Sequence, residues 1–276
     1  MSKPVRHAVA AADHAAAGAR PPVWQRLRFE AKAAAEHEPV LTSFLNSTIL
    51  NHDTIAQALA YYLAHKAACC DLNALQLREI CEEAFTEDET IIPAVERDMQ
   101  AVLERDPACR TLLQPFLYYK GFLALQSHRV AQYLWNQDRD VLAFFLQSRN
   151  SEIYQVDIHP AAKMGAGIFM DHATGIVIGE TASVGDDCSI LHEVNLGGTG
   201  KEFSDRHPKI GRGVLIGAGA KVLGPIHVGD EARIGASSVV LNDVPARCTV
   251  AGIPAKIVGG PCAEPAKAMD HNIIID

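Results

Sequence analysis

Two halves with different periods predict an α+β chain, with an N-terminal α-helical domain followed by a parallel β-helix of hexapeptide repeats. Three observations in the 276 residues carry this. Apolar side chains in the first half recur at three- and four-residue intervals, as in Leu41, Phe44, Leu45, Thr48 and Ile49. In the second half an aliphatic residue or Met stands at 158, 164 and 170, then at 178, 184, 190 and 196, then at 210, 216, 222, 228, 234 and 240. Glycine follows that residue at 165, 179, 185, 197, 211, 217, 229 and 235, where a coil must turn without steric cost.

Residues 1–22, "MSKPVRHAVAAADHAAAGARPP", read as a disordered leader. They are too polar for the apolar centre of a signal peptide, and a transit peptide is the alternative. Residues 23–153 form the α-helical domain, read as six to eight helices. Asp53 precedes "TIAQALAYYLAHK", Asn73 precedes "ALQLREICEEAF", and Pro115 opens "FLYYKGFLALQ". Residues 154–260 form the β-helix, and 261–276, with no hexad left to continue, a flexible C-terminal tail. The helical half is expected to cap the first coil, whose exposed strand edges otherwise invite aggregation. Flat prism faces suit packing around a three-fold axis.

The breaks in phase matter as much as the repeat. Between Met170 and Ile178 the frame slips by two residues, just after the pair Asp171–His172. Between Leu196 and Ile210 lies the polar stretch "GGTGKEFSDRHPK", expected to leave the prism as a loop carrying Arg206 and His207.

Composition excludes several classes. A net charge of −8 with a pI near 5.8 gives no support to nucleic-acid binding. No apolar run reaches the roughly 18 residues of a membrane span. Cysteines at 69, 70, 81, 109, 188, 248 and 262 lack the spacing of a zinc ribbon or a disulfide framework, and reduced thiols in a cytoplasm are expected.

His172 is the first candidate for chemistry. Asp157 lies fifteen residues earlier, close to one coil of about eighteen. The two should therefore sit near one corner on adjacent coils, where a carboxylate could hold one imidazole nitrogen and leave the other as a general base. Asp171 and Arg206 suit the ammonium and carboxylate of an amino acid through charge-assisted hydrogen bonds, unless both are plain surface charges. His207, on the protruding loop, could reach a neighbouring prism and steady an oxyanion. His159, His192 and His227 read as capping, stacking or exposed residues, and Cys188 as a small buried apolar one.

At this point a resemblance becomes clear. "VDIHPAAKMGAGIFMDHATGIVIGETA", followed by "LGGTG", "DRHPKIG", "IGAGAKVLG" and "AGIPAKIVG", resembles the bacterial serine O-acetyltransferases of the hexapeptide acyltransferase superfamily. "ERDPACRTLLQPFLYYKGFLALQSHRVAQYLWNQ" resembles that family's N-terminal domain, so the likeness spans roughly residues 23–260. It implies the left-handed form of the β-helix and acetyl transfer from acetyl-CoA to the L-serine hydroxyl, giving O-acetyl-L-serine for cysteine biosynthesis. By motif His172 is then the general base and Asp157 its partner, while Asp106, Asp171, Arg206 and His207 hold serine. Coenzyme A would run along Gly198, Thr199, Ala218 and Ala236, with Lys256 for a phosphate. Acetyl-CoA is a cosubstrate, with no resident cofactor, metal or acyl-enzyme implied. The resemblance also implies a trimer or a dimer of trimers (a hexamer) with sites between prisms, and inhibition by cysteine. A C-terminal isoleucine that binds O-acetylserine sulfhydrylase belongs to the same pattern, but here Asp276 follows Ile275.

Three other readings compete. A sugar or antibiotic acetyltransferase of the same prism would not need Asp106, Asp171 and Arg206. A carbonic-anhydrase-type prism would hold zinc through three of the histidines, although none has close ligand spacing. A bare scaffold leaves the Asp, His and Arg set unexplained.

Overall fold

The computed structural model describes residues 21–200, 204–259 and 264–271. Most of the leader expected over 1–22 therefore lies outside the described residues, as do Lys201–Phe203 of the polar stretch, Cys262, and the terminal Ile275 and Asp276.

The first half holds helices α1 (Val23–His37), α2 (Thr42–Leu45), α3 (Ile55–Ala67), α4 (Ala74–Glu87), α5 (Ile91–Arg105), α6 (Leu113–Tyr118), α7 (Lys120–Asn136) and α8 (Asp140–Tyr154). Asn73 caps α4 as read from the sequence: its side chain accepts from Leu75 N and Gln76 N at 3.0 and 3.1 Å, and Gln76 returns the bond. For α3 the cap is Thr54 rather than Asp53, because the hydroxyl at 54 accepts from Gln57 N at 3.2 Å. The single helix expected from Pro115 is two. Tyr119 (φ −89°, ψ 106°) breaks it, and this bend lets the start of α7 lie against the second half.

That half is a prism of three parallel sheets. Face one is β1 (Val156–Ile158), β4 (Ile176–Ile178), β7 (Asn195–Gly197), β10 (Lys221–Leu223) and β13 (Val239–Val240). Face two is β2 (Lys163–Met164), β5 (Ser183–Val184), β8 (Lys209–Ile210) and β11 (His227–Val228). Face three is β3 (Phe169–Asp171), β6 (Ser189–Leu191), β9 (Leu215–Ile216), β12 (Arg233–Ile234), β14 (Thr249–Gly252) and β15 (Ala255–Gly259), the last two forming an antiparallel hairpin. Every aliphatic or Met hexad position is buried. So are most residues two places before, including Ala162, Cys188, Val194 and Ala220, which makes Cys188 part of the filling. Its thiol donates to Gly211 O at 3.1 Å, and burial raises its pKa to about 12.

The frame slip has a structural cause. Ile158 pairs with Ile178, twenty positions on, whereas Ile178 pairs with Leu196, eighteen on. The two additional residues are His172 and Ala173, both in the left-handed region (φ 56° and 59°), inserted at the corner from face three to face one. Leu196 pairs with Val222, twenty-six on, because the polar stretch leaves the coil at the corner from face one to face two.

Helical side chains close the edge of the first coil. Asp98 accepts from Ile168 N at 2.8 Å and binds Arg129 at 2.7 Å. Arg129 also donates to the carbonyls of Met164 and Gly165, and His128 bonds that of Ala162 at 3.1 Å. Backbone groups that a bare prism would expose are thus satisfied by α5 and α7. Within the stretch expected as a flexible tail, residues 264–271 are anchored to the prism and to α5 at a few points. Helix α9 (Pro265–Ala268) lies against α5, Ala266 is buried, and Ser189 Oγ donates to Ala266 O at 2.8 Å. Arg233 holds the carbonyl of Asp270 at 3.0 Å.

Candidate active site

A cleft of about 580 Å³ opens where the two halves meet. Its walls include Asp106, Asp171 and His172, three of the residues singled out by sequence, with Tyr119, Lys120, Met269 and His271 beside them.

Each arrives for a local reason. Asp106 ends α5 because the residue before a proline avoids the helical region, and its carboxylate accepts from Ala108 N at 2.8 Å in the resulting turn. Asp171 closes β3, and His172 follows on the inserted corner. The side chain of His172 is 76% exposed, with Nε2 3.7 Å from Asp171 and its ring 5.9 Å from that of His192 on the next coil. Burial raises the pKa of Asp171 and neighbouring Asp106 adds to this, with His172 opposing. Two carboxylates on one wall favour a cationic group between them.

Asp157 lies on β1, and its register partner Val177 is five residues past His172 on the next coil. It is near the same corner, but its carboxylate accepts from Gln147 Nε2 at 2.6 Å rather than pairing with His172. His159 caps its own turn, its Nδ1 accepting from Ala161 N at 3.1 Å between Trp135 and Phe144.

Arg206 and His207 form a second cluster, at the other edge of face one. Arg206 is paired with Glu180. Thr181 organises both: its hydroxyl accepts from Arg206 N and His207 N at 3.1 Å each, and His207 Nδ1 accepts from Thr181 N at 3.2 Å. That bond leaves the proton of the neutral ring on Nε2, pointing toward Gly179 and Gly198. Burial first, and then the adjacent Arg206, depress the pKa of His207, so it is kept as a neutral donor. Sequence reading missed Glu180 and Thr181, which look like ordinary corner residues of the hexad.

The coenzyme candidates divide the same way. Ala218 and Ala236 follow β9 and β12 at the corner shared with His172, where Ser237 N donates to Ala218 O at 2.7 Å. Gly198 and Thr199 follow β7, next to His207 and Arg206. Lys256 is exposed on β15, at the far end of face three. Among the described residues no three His, Cys, Asp or Glu side chains converge as a metal site. No helix among them is long and apolar enough to cross a membrane.

Comparison with known proteins gives this geometry a context. Residues 23–127 match the model of the serine acetyltransferase N-terminal family, and 207–242 that of the bacterial transferase hexapeptide (six repeats). The chain is 55% identical to a serine acetyltransferase of Haemophilus influenzae over 253 residues, 91% of this chain and 95% of that one. A serine acetyltransferase solved in complex with cysteine superposes with a TM-score of 0.90 at 55% identity, covering 91% and 98% of the two chains. The Brucella abortus strain S19 enzyme solved in complex with coenzyme A gives a TM-score of 0.86 at 49% identity, covering 88% and 98%. An α-helical half on a hexapeptide prism, with this likeness over nine-tenths of its length, makes the chain an acyltransferase belonging to the serine acetyltransferase family.

Proposed function

We propose that the chain transfers the acetyl group of acetyl-CoA to the hydroxyl of L-serine, with His172 as general base and no acyl-enzyme. The carrying observation is the cleft that gathers Asp106, Asp171 and His172. Asp106 and Asp171 take the serine ammonium. Arg206 and His207, held by Glu180 and Thr181, take the carboxylate, and the Nε2–H of His207 can face the oxyanion.

The serine hydroxyl is a weak nucleophile until a base removes its proton during attack. His172 takes that proton as the oxygen attacks the thioester carbonyl. The tetrahedral intermediate expels the CoA thiolate, which recovers the proton from the imidazolium. Asp157 would support the imidazolium if its carboxylate exchanges Gln147 for His172 when substrates bind. The extended pantetheine lies between neighbouring prisms, along Ala218 and Ala236 of one and Gly198 and Thr199 of the next, where small residues admit its amides, and Lys256 meets a phosphate.

Because the two clusters occupy opposite edges of face one, the complete site forms between neighbouring prisms of a three-fold assembly, itself stackable as a dimer of trimers. Cysteine, which differs from serine only in its thiol, fits the same clamp and inhibits; the cysteine-bound relative supports this.

Thiol release from acetyl-CoA tests the reading. The wild type is expected to require L-serine, and His172→Ala to lose at least about a hundredfold in kcat. Release indifferent to serine overturns the substrate, while serine-dependent release untouched by the substitution overturns the base.

A further inference from the structure

The side chain of His172 is mostly exposed, with Asp171 3.7 Å away and the ring of His192 at 5.9 Å. So little packing leaves its direction to depend strongly on the backbone of the inserted corner. That backbone is unusual: His172 and Ala173, in succession, both have positive φ (56° and 59°), a conformation that L side chains rarely adopt.

Three anchors hold the corner. Ala173 is buried, and the chain beyond it is tied to its neighbours by Gly175 N to Gln155 O (2.8 Å) and Glu193 N to Thr174 O (2.7 Å). The third anchor comes from the helical half. Lys120, the first residue of α7, donates from Nζ to Thr174 Oγ1. Gly121 brings the helix close enough for this: a Cβ there would lie 2.2 Å from Met170 O and 3.0 Å from Ala173 Cβ. The break at Tyr119 is what starts α7 at this point.

We infer that Lys120 is a positioning residue for His172, acting through the Thr174 hydroxyl to hold the two-residue insertion at the cleft. The helical half thereby sets the aim of the base, a role separate from capping the prism. This rests on His172 being the base. A lysine lining the cleft could instead meet the substrate carboxylate directly, and the two roles differ kinetically. A misaimed base lowers kcat, whereas a lost carboxylate contact raises the KM for serine.

The test is a set of variants, Lys120→Met, Lys120→Arg, Thr174→Val and Thr174→Ser, with the double Lys120→Met/Thr174→Val. Melting temperatures are measured alongside to confirm that each variant is folded. Lys120→Met and Thr174→Val are each expected to lower kcat roughly ten- to a hundredfold with the KM for L-serine unchanged, as for a group misplaced by about an ångström. The double variant should be no worse than either single one, and Arg and Ser should restore most of the rate. Multiplicative losses, a serine KM that rises at constant kcat, or full activity in folded Lys120→Met would each overturn the assignment. In a His172→Ala background, Lys120→Met should have no further effect. If His172→Ala alone is fully active, the general-base reading fails, and the coupling of Lys120 to Thr174 is judged separately by the double variant.

Discussion

Gly179 leaves no room for a side chain: a Cβ would stand 2.0 Å from Nε2 of His207. Its φ lies outside the left-handed region, so alanine fits the backbone, and the nearest conflict is with the imidazole. Gly179→Ala is therefore expected to keep the fold and displace His207. Serine-dependent turnover should fall at least about tenfold, since placement within a fraction of an ångström governs such contacts. Steady-state kinetics beside a thermal melt reads this, and wild-type kinetics in a folded variant would show that His207 is not needed where it lies. At this scale the sequence was informative about charged and imidazole groups and poor on their supports. Asp171, His172, Arg206 and His207 stand out because a repeat that needs only small and aliphatic residues has no use for them. Glu180 and Thr181 are invisible there, since a corner tolerates almost any polar residue. The partner of Asp157 was equally hidden, because Gln147 reaches it from a helix that no hexad spacing describes.

Between elements, the contact of α7 with the first coil contains a buried histidine. His128 Nε2 donates to Ala162 O at 3.1 Å, its Nδ1 is buried without a hydrogen-bond partner, and the adjacent Arg129 is cationic. Burial foremost, and then Arg129, depress its pKa from 6.5 to about 3. The unfolded chain thus binds one more proton than the native one between those values. Stability is full above pH 6.5 and falls as pH drops toward 3, by up to about 1.4 kcal/mol per pH unit from this group. His128→Gln keeps a donor for Ala162 O and removes the titration. Urea midpoints at pH 7 and pH 5 should therefore differ less in the variant than in the wild type, and an equal difference would rule His128 out as the cause. Elements themselves were largely legible. The hexad fixes strand positions because each coil must fill one narrow interior, and the Asn73 box marks a helix start by its own hydrogen bonds. The break at Tyr119 was not legible, because it serves the approach of Gly121 to β3, a contact between residues about fifty apart in sequence.

For the whole molecule, the decisive feature is that one chain carries the two residue clusters of the proposed site on opposite edges of the same face. Asp171 and His172 stand where face three turns into face one, and Arg206 and His207 where face one turns into face two. The sequence could suggest this only through the loop that interrupts the hexad, since no linear spacing says which edge faces a neighbour. If neighbouring prisms complete each other, every site takes its His172 edge from one chain and its Arg206 edge from the next. Two inactive variants, His172→Ala and Arg206→Ala, are then complementary. Co-expressed in equal amounts, half of the His172 edges and half of the Arg206 edges are intact, and random assembly of closed trimers makes about a quarter of the sites fully wild type. The mixture should recover about that fraction of wild-type turnover, at serine concentrations where each variant alone is silent. The fraction is the same whether trimers act singly or stacked in pairs, because stacking leaves the junctions within each ring unchanged. Recovery near a quarter requires a site shared between chains. A mixture no more active than its components would mean that the Arg206 loop folds back to complete the cleft of its own chain.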